Sequence, residues 1–523
     1  MKKLSKKLFS LVCVVMAAAM LIAGCAKEPG GENTAAPSEE AGAAKENLTV
    51  VLKADVRSFD PIFGNDTTSH AVFRHIYETL MKYDDNGNLV PNLAESVTWT
   101  DNKDCEIKLK KGVLFHNGEE LKANDVKFTL YRIASEPCDI HYMLEDINLD
   151  SFETPDEYTV KFSLNTPDAS VAAILAFGSV GIVNEKAVTE AGDTYGMNPI
   201  GTGPYKLQSW TKGNQSVIER FEDYHGDKPA FKTITFKVVP EVTNRLVELE
   251  SGGADIAYDI SVTDVARVEE SSALKLSTID SSSVTFMGMN TTKKPLDDQR
   301  VREAIRYAID VNGIVQSVYH GMSHPATNPM NPSCTYYDNT STVSEYNVEK
   351  AKQLLAEAGY ADGFDITITT DDRKERIDIA TIIQSELKEI GINAEIKILE
   401  WGAYLTTCYD GEQELYMGGW TTFTPEPSLS LKGPFGSSSF GSGGNMTFYA
   451  NPKVDELLTA GLLTTDAAER EQIYTDLQRE ITNQCTWVYL TYGVQIYAMN
   501  SKLEGFVPQS SGYPDLTGVY FAD

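Results

Sequence analysis

His320 and His324 stand four residues apart and His70 and His75 five, spacings at which two imidazoles could share a metal ion. An i, i+4 pair needs an unbroken helix to share a face. Gly321 interrupts the first pair and Pro325 follows it, so it is expected past a helix end. No cysteine or carboxylate completes either pair at a recognisable spacing, and no metal site is expected. The chain has no Gly-x-Ser-x-Gly elbow, no Gly-x-x-x-x-Gly-Lys-(Ser/Thr) phosphate loop and no His-Glu-x-x-His helix. Gly201-Thr202-Gly203-Pro204 is glycine-rich, but Pro204 and the polar run after it spoil a dinucleotide loop, and a tight turn is expected. Asp and Glu total 75, yet nothing in the sequence pairs two of them for acid–base work. Catalysis and a bound cofactor are therefore not expected.

The reactive group with the clearest context is Cys25. Lys2, Lys3, Lys6 and Lys7 precede an apolar stretch from Leu8 to Ile22, short for a spanning helix, which needs about 20 residues. Leu21-Ile22-Ala23-Gly24-Cys25 resembles the lipobox of bacterial lipoproteins, which makes residues 1–24 a signal peptide and Cys25 a lipidated N-terminus. From Ala26 to Asn47 no apolar side chain is larger than alanine's methyl except proline. Such a segment cannot offset its ordering entropy, so residues 25–47 read as a lipidated cysteine and a disordered tether, roughly 25 Å long as a coil. Removing residues 1–24, with four lysines and no acids, takes the formal charge from −30 to −34. That argues against nucleic acid as a partner. Five cysteines remain: Cys105, Cys138, Cys334, Cys408 and Cys485. They are odd in number and scattered, which suits buried thiols better than a disulfide framework.

Residues 48–523 are too many for one core and imply two or three domains. Strand-like and helix-like segments alternate along them. Leu48–Ala54 reads as a strand, and Asp66–Tyr83 carries a helical pattern through Val72, Ile76 and Leu80. Glu106–Leu109 and Val113–His116 read as short strands, and Asn124–Ile133 as a helix capped by Asn124. Asp298 caps a helix with Val301, Ile305 and Ile309 on one face; another runs from Glu349 to Ala358 and stops at Gly359. Phe364, Ile366 and Ile368 alternate as a strand, Ile379, Ile383 and Leu387 line a helix ending at Gly391, and Ile392 to Ile398 alternate again. This is a βαβ unit and predicts parallel pairing.

Several segments resemble the solute-binding proteins of ABC importers that include oligopeptide-, dipeptide-, glutathione- and nickel-binding members (family 5). They are Ser58-Phe59-Asp60-Pro61, Tyr77-Glu78-Thr79-Leu80, Pro91 to Ser96, Lys110 to Gly118, Ala123 to Val126, Gly201-Thr202-Gly203-Pro204-Tyr205, and Val301 to Asp310. The resemblance implies an α/β, two-lobed periplasmic-binding-protein-like fold (type II, cluster C) with an extra subdomain on lobe I. Lobe I would comprise residues 48–285 and 487–523, with the subdomain at about 87–195, and lobe II residues 286–486. The links Val284–Asn290 and Thr486–Tyr492 would be strands and could act as hinges.

The resemblance also implies ligand-binding residues. In peptide-binding members an aspartate shortly after a Gly-Trp pair clamps the ligand's amino end. Here Gly419-Trp420 is followed by Thr421, Thr422 and Phe423, so a phenylalanine holds that position, and Glu426 is the nearest acid. Arg376 and Arg373 lie near the place where dipeptide binders grip the carboxylate, a task suited to a forked guanidinium. Trp401, Tyr404, Trp420, Phe423 and Tyr492 fall on segments that line the cleft. The expected function is capture of a small peptide for an ABC permease by a monomer anchored outside the membrane through Cys25. Alternatives are a non-peptide solute (a nickel chelate, an oligosaccharide or an opine) or a surface sensor. Cys25→Ser should move the protein from the membrane to the soluble fraction on cell fractionation; unchanged membrane association would count against lipidation.

Overall fold

The computed structural model describes residues 45–84, 87–422, 424–441 and 444–522. The expected signal peptide, Cys25, the expected tether as far as Ala44, and Phe423 lie outside the described residues. An eleven-stranded sheet organises the rest. Its strands are β1 (Asn47–Leu52), β2 (Tyr205–Thr211), β3 (Gln215–Arg220), β4 (Thr233–Val238), β5 (Ile256–Ala257), β6 (Leu274–Met289), β7 (His324–Pro325), β8 (Phe364–Asp371), β9 (Ile392–Leu399), β10 (Leu415–Thr421) and β11 (Trp487–Asn500). The order is β9-β8-β10-β6-β11-β5-β1-β4-β3-β2, with β7 beside β11.

β6 and β11 pair antiparallel along almost their whole length. The register is regular from Leu274 to Asp280 and resumes at Val284, with a further shift between Thr285 and Phe286. At the break the backbone is satisfied from outside the ladder. Asn331 donates its side-chain amide to the Ser281 carbonyl, and Ser282 N donates to Ser510 O at 2.8 Å. On one side of the break the sheet is covered by two cores, one around Val50, Phe236 and Tyr497 and one around Leu246 and Ile496. On the other side lie a core of Ile305, Ile368, Ile383 and Met417 and an aromatic one of Phe286, Trp487 and Tyr474. Phe286 and Trp487 stack with ring centroids 3.4 Å apart. A separate four-stranded sheet (Ala94–Thr100, Asp104–Leu109, Glu153–Asp156, Thr159–Ser163) packs with the helix Ala123–Ser135 over its own core.

The βαβ unit forms as its periodicity predicts. β8 and β9 run parallel, joined by α1 (Lys374–Glu389), whose Ile379, Ile383 and Leu387 are fully buried. Gly391 turns the chain at φ +85°, a left-handed conformation that costs glycine least. Asp298 caps its helix by accepting from Arg300 N. Two helices differ from expectation. The first is Thr67–Phe73 only, because the carbonyls of His75 and Ile76 accept from Tyr205 N and Gly203 N instead of continuing a helix. The other begins at Ala123, where Asp125, not Asn124, reaches back to Lys122 N at 3.0 Å. Leu114 makes a single bridge to Glu120 in place of a strand. The Gly201–Pro204 turn lies hard against the Ile76 backbone; a Cβ on Gly201 would sit 2.1 Å from Ile76 O. Its glycines serve close packing.

The family-like motifs meet in the same place. Asp60 pairs with the buried Arg132 through two bonds of 3.1 and 2.7 Å. Glu78 accepts from Thr202 Oγ1 at 2.9 Å and contacts His225 Nε2 at 2.8 Å. His75 and His116 each need one bare nitrogen: His75 contacts Val72 O and accepts from Leu516 N, and His116 contacts Gly203 O and accepts from Gly201 N. Burial, the largest influence on both, holds each imidazole down at about 4. A folded pKa below the unfolded value near 6.5 gives stability that is complete above about 6.5 and lost as pH falls towards 4. The urea midpoint should therefore drop between pH 7 and 4.5; a flat profile would reject neutral buried imidazoles.

Candidate functional site

Three parallel strands, β9, β8 and β10, end side by side. The loops after such carboxyl ends form the crevice of an open α/β sheet. Arg373 and Arg376 follow β8; Trp401 and Tyr404 open α2 (Trp401–Tyr409) after β9; Trp420 to Glu426 lead from β10 into α3 (Pro427–Phe435). Among the described residues implied by resemblance, Arg373, Arg376, Trp401, Tyr404, Trp420, Thr421, Thr422 and Glu426 thus follow or end these three strands.

Their organiser is Asp371, which sequence reading did not single out. Its side chain is 1% exposed and holds two guanidiniums. Arg373 donates from Nη2 at 2.6 Å and from Nε at 3.0 Å, and Arg376 from Nη1 at 2.8 Å. Burial opposes ionisation of Asp371, but these bonds and charges win and hold its carboxyl below the ordinary range. Arg376 Nη1 also donates to Met417 O, which accepts from the Tyr404 hydroxyl at 2.6 Å. β8 and β10 part just beyond Tyr416, which leaves the Met417 carbonyl free for side chains.

Arg376 is short of anionic charge. Its side chain is 7% exposed and it shares one carboxylate with Arg373. Burial first, then the neighbouring Arg373, lowers its pKa. Its Nη2 has no acceptor among the described residues and lies beside the exposed Gly419, where a Cβ would come within 3.0 Å of it. The missing side chain leaves a window onto the guanidinium. Arg373 is half-exposed and lies over the Trp401 ring, 5.1 Å from its centroid, and Trp401 stacks on Tyr404 at 5.5 Å. Trp401 is 47% exposed, so the edge of this stack faces open space.

The remaining candidates sit differently. Successive strand side chains point to opposite faces, so Trp420 faces the aromatic core while Gly419 faces Arg376. The Trp420 Nε1 is buried without a partner among the described residues. Tyr492 stands in the same row, both residues pairing with Val284, and its hydroxyl is taken up by Thr327 N and Asn328 N at 3.1 Å. Thr421 ends β10; Thr422 donates its N to Ser282 O at 3.0 Å and shares a hydroxyl bond with Ser430. Glu426 is buried against Arg470, 2.7 Å from its Nη2, and accepts from Ser428 N. Arg470, far along the chain, carried no sequence signal.

The opposing side also reaches this loop. Tyr83 lies beside Glu426 and Thr424, and burial, then the Glu426 charge, raises its pKa. Leu429 packs against the core of the small sheet, and Ala169 N donates to Leu462 O at 2.9 Å. A recess of about 560 Å³ separates His141, Glu145 and Asp168 from Lys432 and Leu462.

Residues 88–442 match the sequence model of the bacterial extracellular solute-binding proteins, family 5, middle region. The chain belongs to this family. It is 30% identical over 476 residues to the glutathione-binding protein GsiB of Pectobacterium atrosepticum, a match covering 88% of this chain and 92% of that one. Among solved structures it resembles the periplasmic binding protein DppA of Helicobacter pylori in complex with the peptide STSA, with TM-score 0.82 and 28% identity over 91% and 98% of the two chains. It also resembles the oligopeptide-binding protein AppA of Bacillus subtilis in complex with a nonapeptide, with TM-score 0.80 and 26% identity over 92% and 100%. The family fold is the two-lobed type II periplasmic-binding-protein fold. No described helix is long and apolar enough to cross a membrane. Asp371→Asn leaves two guanidiniums around a neutral amide and should cost about 3–5 kcal/mol in urea unfolding; a loss near zero would show that the site does not depend on this carboxylate.

Proposed function

We propose that this family 5 protein captures small peptides between its lobes and delivers them to the permease of an ABC importer, without catalysis of its own. The observation that carries this reading is Arg376: buried, sharing its carboxylate, and open through Gly419. A ligand carboxylate would supply the missing anion, and a guanidinium recognises one through parallel bonds. Trp401, with Arg373 lying over its ring, would line the ligand's course. The relatives named for glutathione or solved with peptides support the substrate class.

Lobe I would comprise residues 48–285 and 487–523 with the subdomain at about 87–195, and lobe II residues 286–486. The register break between Asp280 and Val284 would be the hinge, and ligand contacts made only in the closed form would shift the population towards closure. The protein would work as a monomer outside the membrane, held by lipidated Cys25.

Native mass spectrometry of protein purified gently from cells, followed by release and sequencing, should reveal a ladder of peptide masses. A single non-peptide mass or a metal adduct would overturn the substrate. By calorimetry, Arg376→Ala should weaken a captured peptide about 10- to 100-fold, the worth of a hydrogen bond to a charged group, and Gly419→Val should do the same by closing the window. Unchanged affinity in both would remove Arg376 from the site.

A further inference from the structure

The charges around this crevice are unequal, and the inequality specifies the ligand further. Among the described residues two buried carboxylates stand there, Asp371 and Glu426, and the latter is the sole acid in the sequence between Gly418 and Phe435. Both are spent. Asp371 takes donors from Arg373 and Arg376 on its two oxygens. Glu426 meets Arg470 with both oxygens, at 2.7 and 3.3 Å. Three guanidiniums therefore face two carboxylates, and the surplus positive charge lies at Arg376, beside the opening.

The acids left near the edge are poor partners for an enclosed ammonium. Asp372 and Glu375 are exposed, where water screens a pair to little net value. Glu400 caps α2, accepting from Gly402 N and Ala403 N. An ammonium drawn into this crevice would lose its hydration, find no free buried carboxylate among the described residues and meet a like charge. A carboxylate would lose its hydration and gain a guanidinium. Desolvated charges are tolerated only where they are paired.

We infer that the crevice recognises its ligand through the carboxylate and does not require a free α-ammonium, so that peptides with a blocked or absent amino group belong to the substrate class. The inference rests on Arg376 being the carboxylate anchor of a peptide site. It makes the carboxyl end the ligand's point of register, with the amino end in solvent or covered by an acyl group.

The test is competitive native mass spectrometry of the purified protein with three matched sets of short peptides: free at both ends, N-acetylated, and C-amidated. N-acetylated peptides should be retained within about 3-fold of the free ones, the scale of a solvent-screened charge. Amidated ones should fall by about 10-fold or more. Arg376→Ala should erase the difference between acids and amides. Loss of binding on acetylation, or equal retention of acids and amides, would overturn this inference while peptide capture stood. Retention of none of the three sets would overturn peptide capture as well.

Discussion

The antiparallel pairing of β6 with β11 is the constraint on which the rest of the molecule depends. These strands of 16 and 14 residues are shared by both halves of the sheet, so each of the four cores that cover the large sheet is built against one end or the other of a single ladder. Each end is pinned by packing that does not adapt readily: stacked Phe286 and Trp487 at one, Tyr497 against Tyr258 at the other. The irregular stretch between Asp280 and Val284 carries three consecutive serines whose backbone groups bond to Asn331, Ser510 and Thr422. Few ladder bonds would have to change if the two halves moved relative to one another, whereas a shift within either core would disturb close-packed aromatics.

The candidate site obeys the same economy. Parallel strands must stop somewhere, and where β8 and β10 separate they leave a carbonyl, Met417 O, that would otherwise go unpaired. Arg376 and Tyr404 fill that vacancy, and Asp371 holds Arg376 in place. One buried carboxylate thus stabilises the end of the sheet and orients the side chains that face the crevice. Burial gives these groups their strength as well, since a guanidinium held in low dielectric discriminates between an anion and a dipole more sharply than one in water.

Much of the fold was legible in the chain because its signals are local. Ile366 and Ile368, the Ile379–Ile383–Leu387 stripe and Gly391 specify strand, helix and stop within thirty residues, and Asp298 caps the helix beside it. The helix after Asp66 was legible as apolar spacing but not in length. Val72, Ile76 and Leu80 are all buried, yet the backbone leaves the helix because the distant Gly203 and Tyr205 claim its carbonyls. The candidate site divides in the same way. Arg373, Arg376, Trp401 and Trp420 were approachable through short motifs. Asp371 reads as one more acid at a strand end, and the pairing of Glu426 with Arg470 joins segments whose spacing says nothing. Long-range electrostatic partners leave no periodicity, and which face of β10 Trp420 would take depended on a register that only the folded sheet sets.

The place of β1 has a consequence for how the protein is made. Val50 pairs with Ile256, and Ile256 with Met499, so this part of the sheet closes only when segments from near both ends of the chain come together. β1 also pairs with β4, yet its surroundings are complete only once β11 has been made, and such non-local topology makes folding slow. The centre of the sheet therefore cannot close until nearly the whole chain has been made.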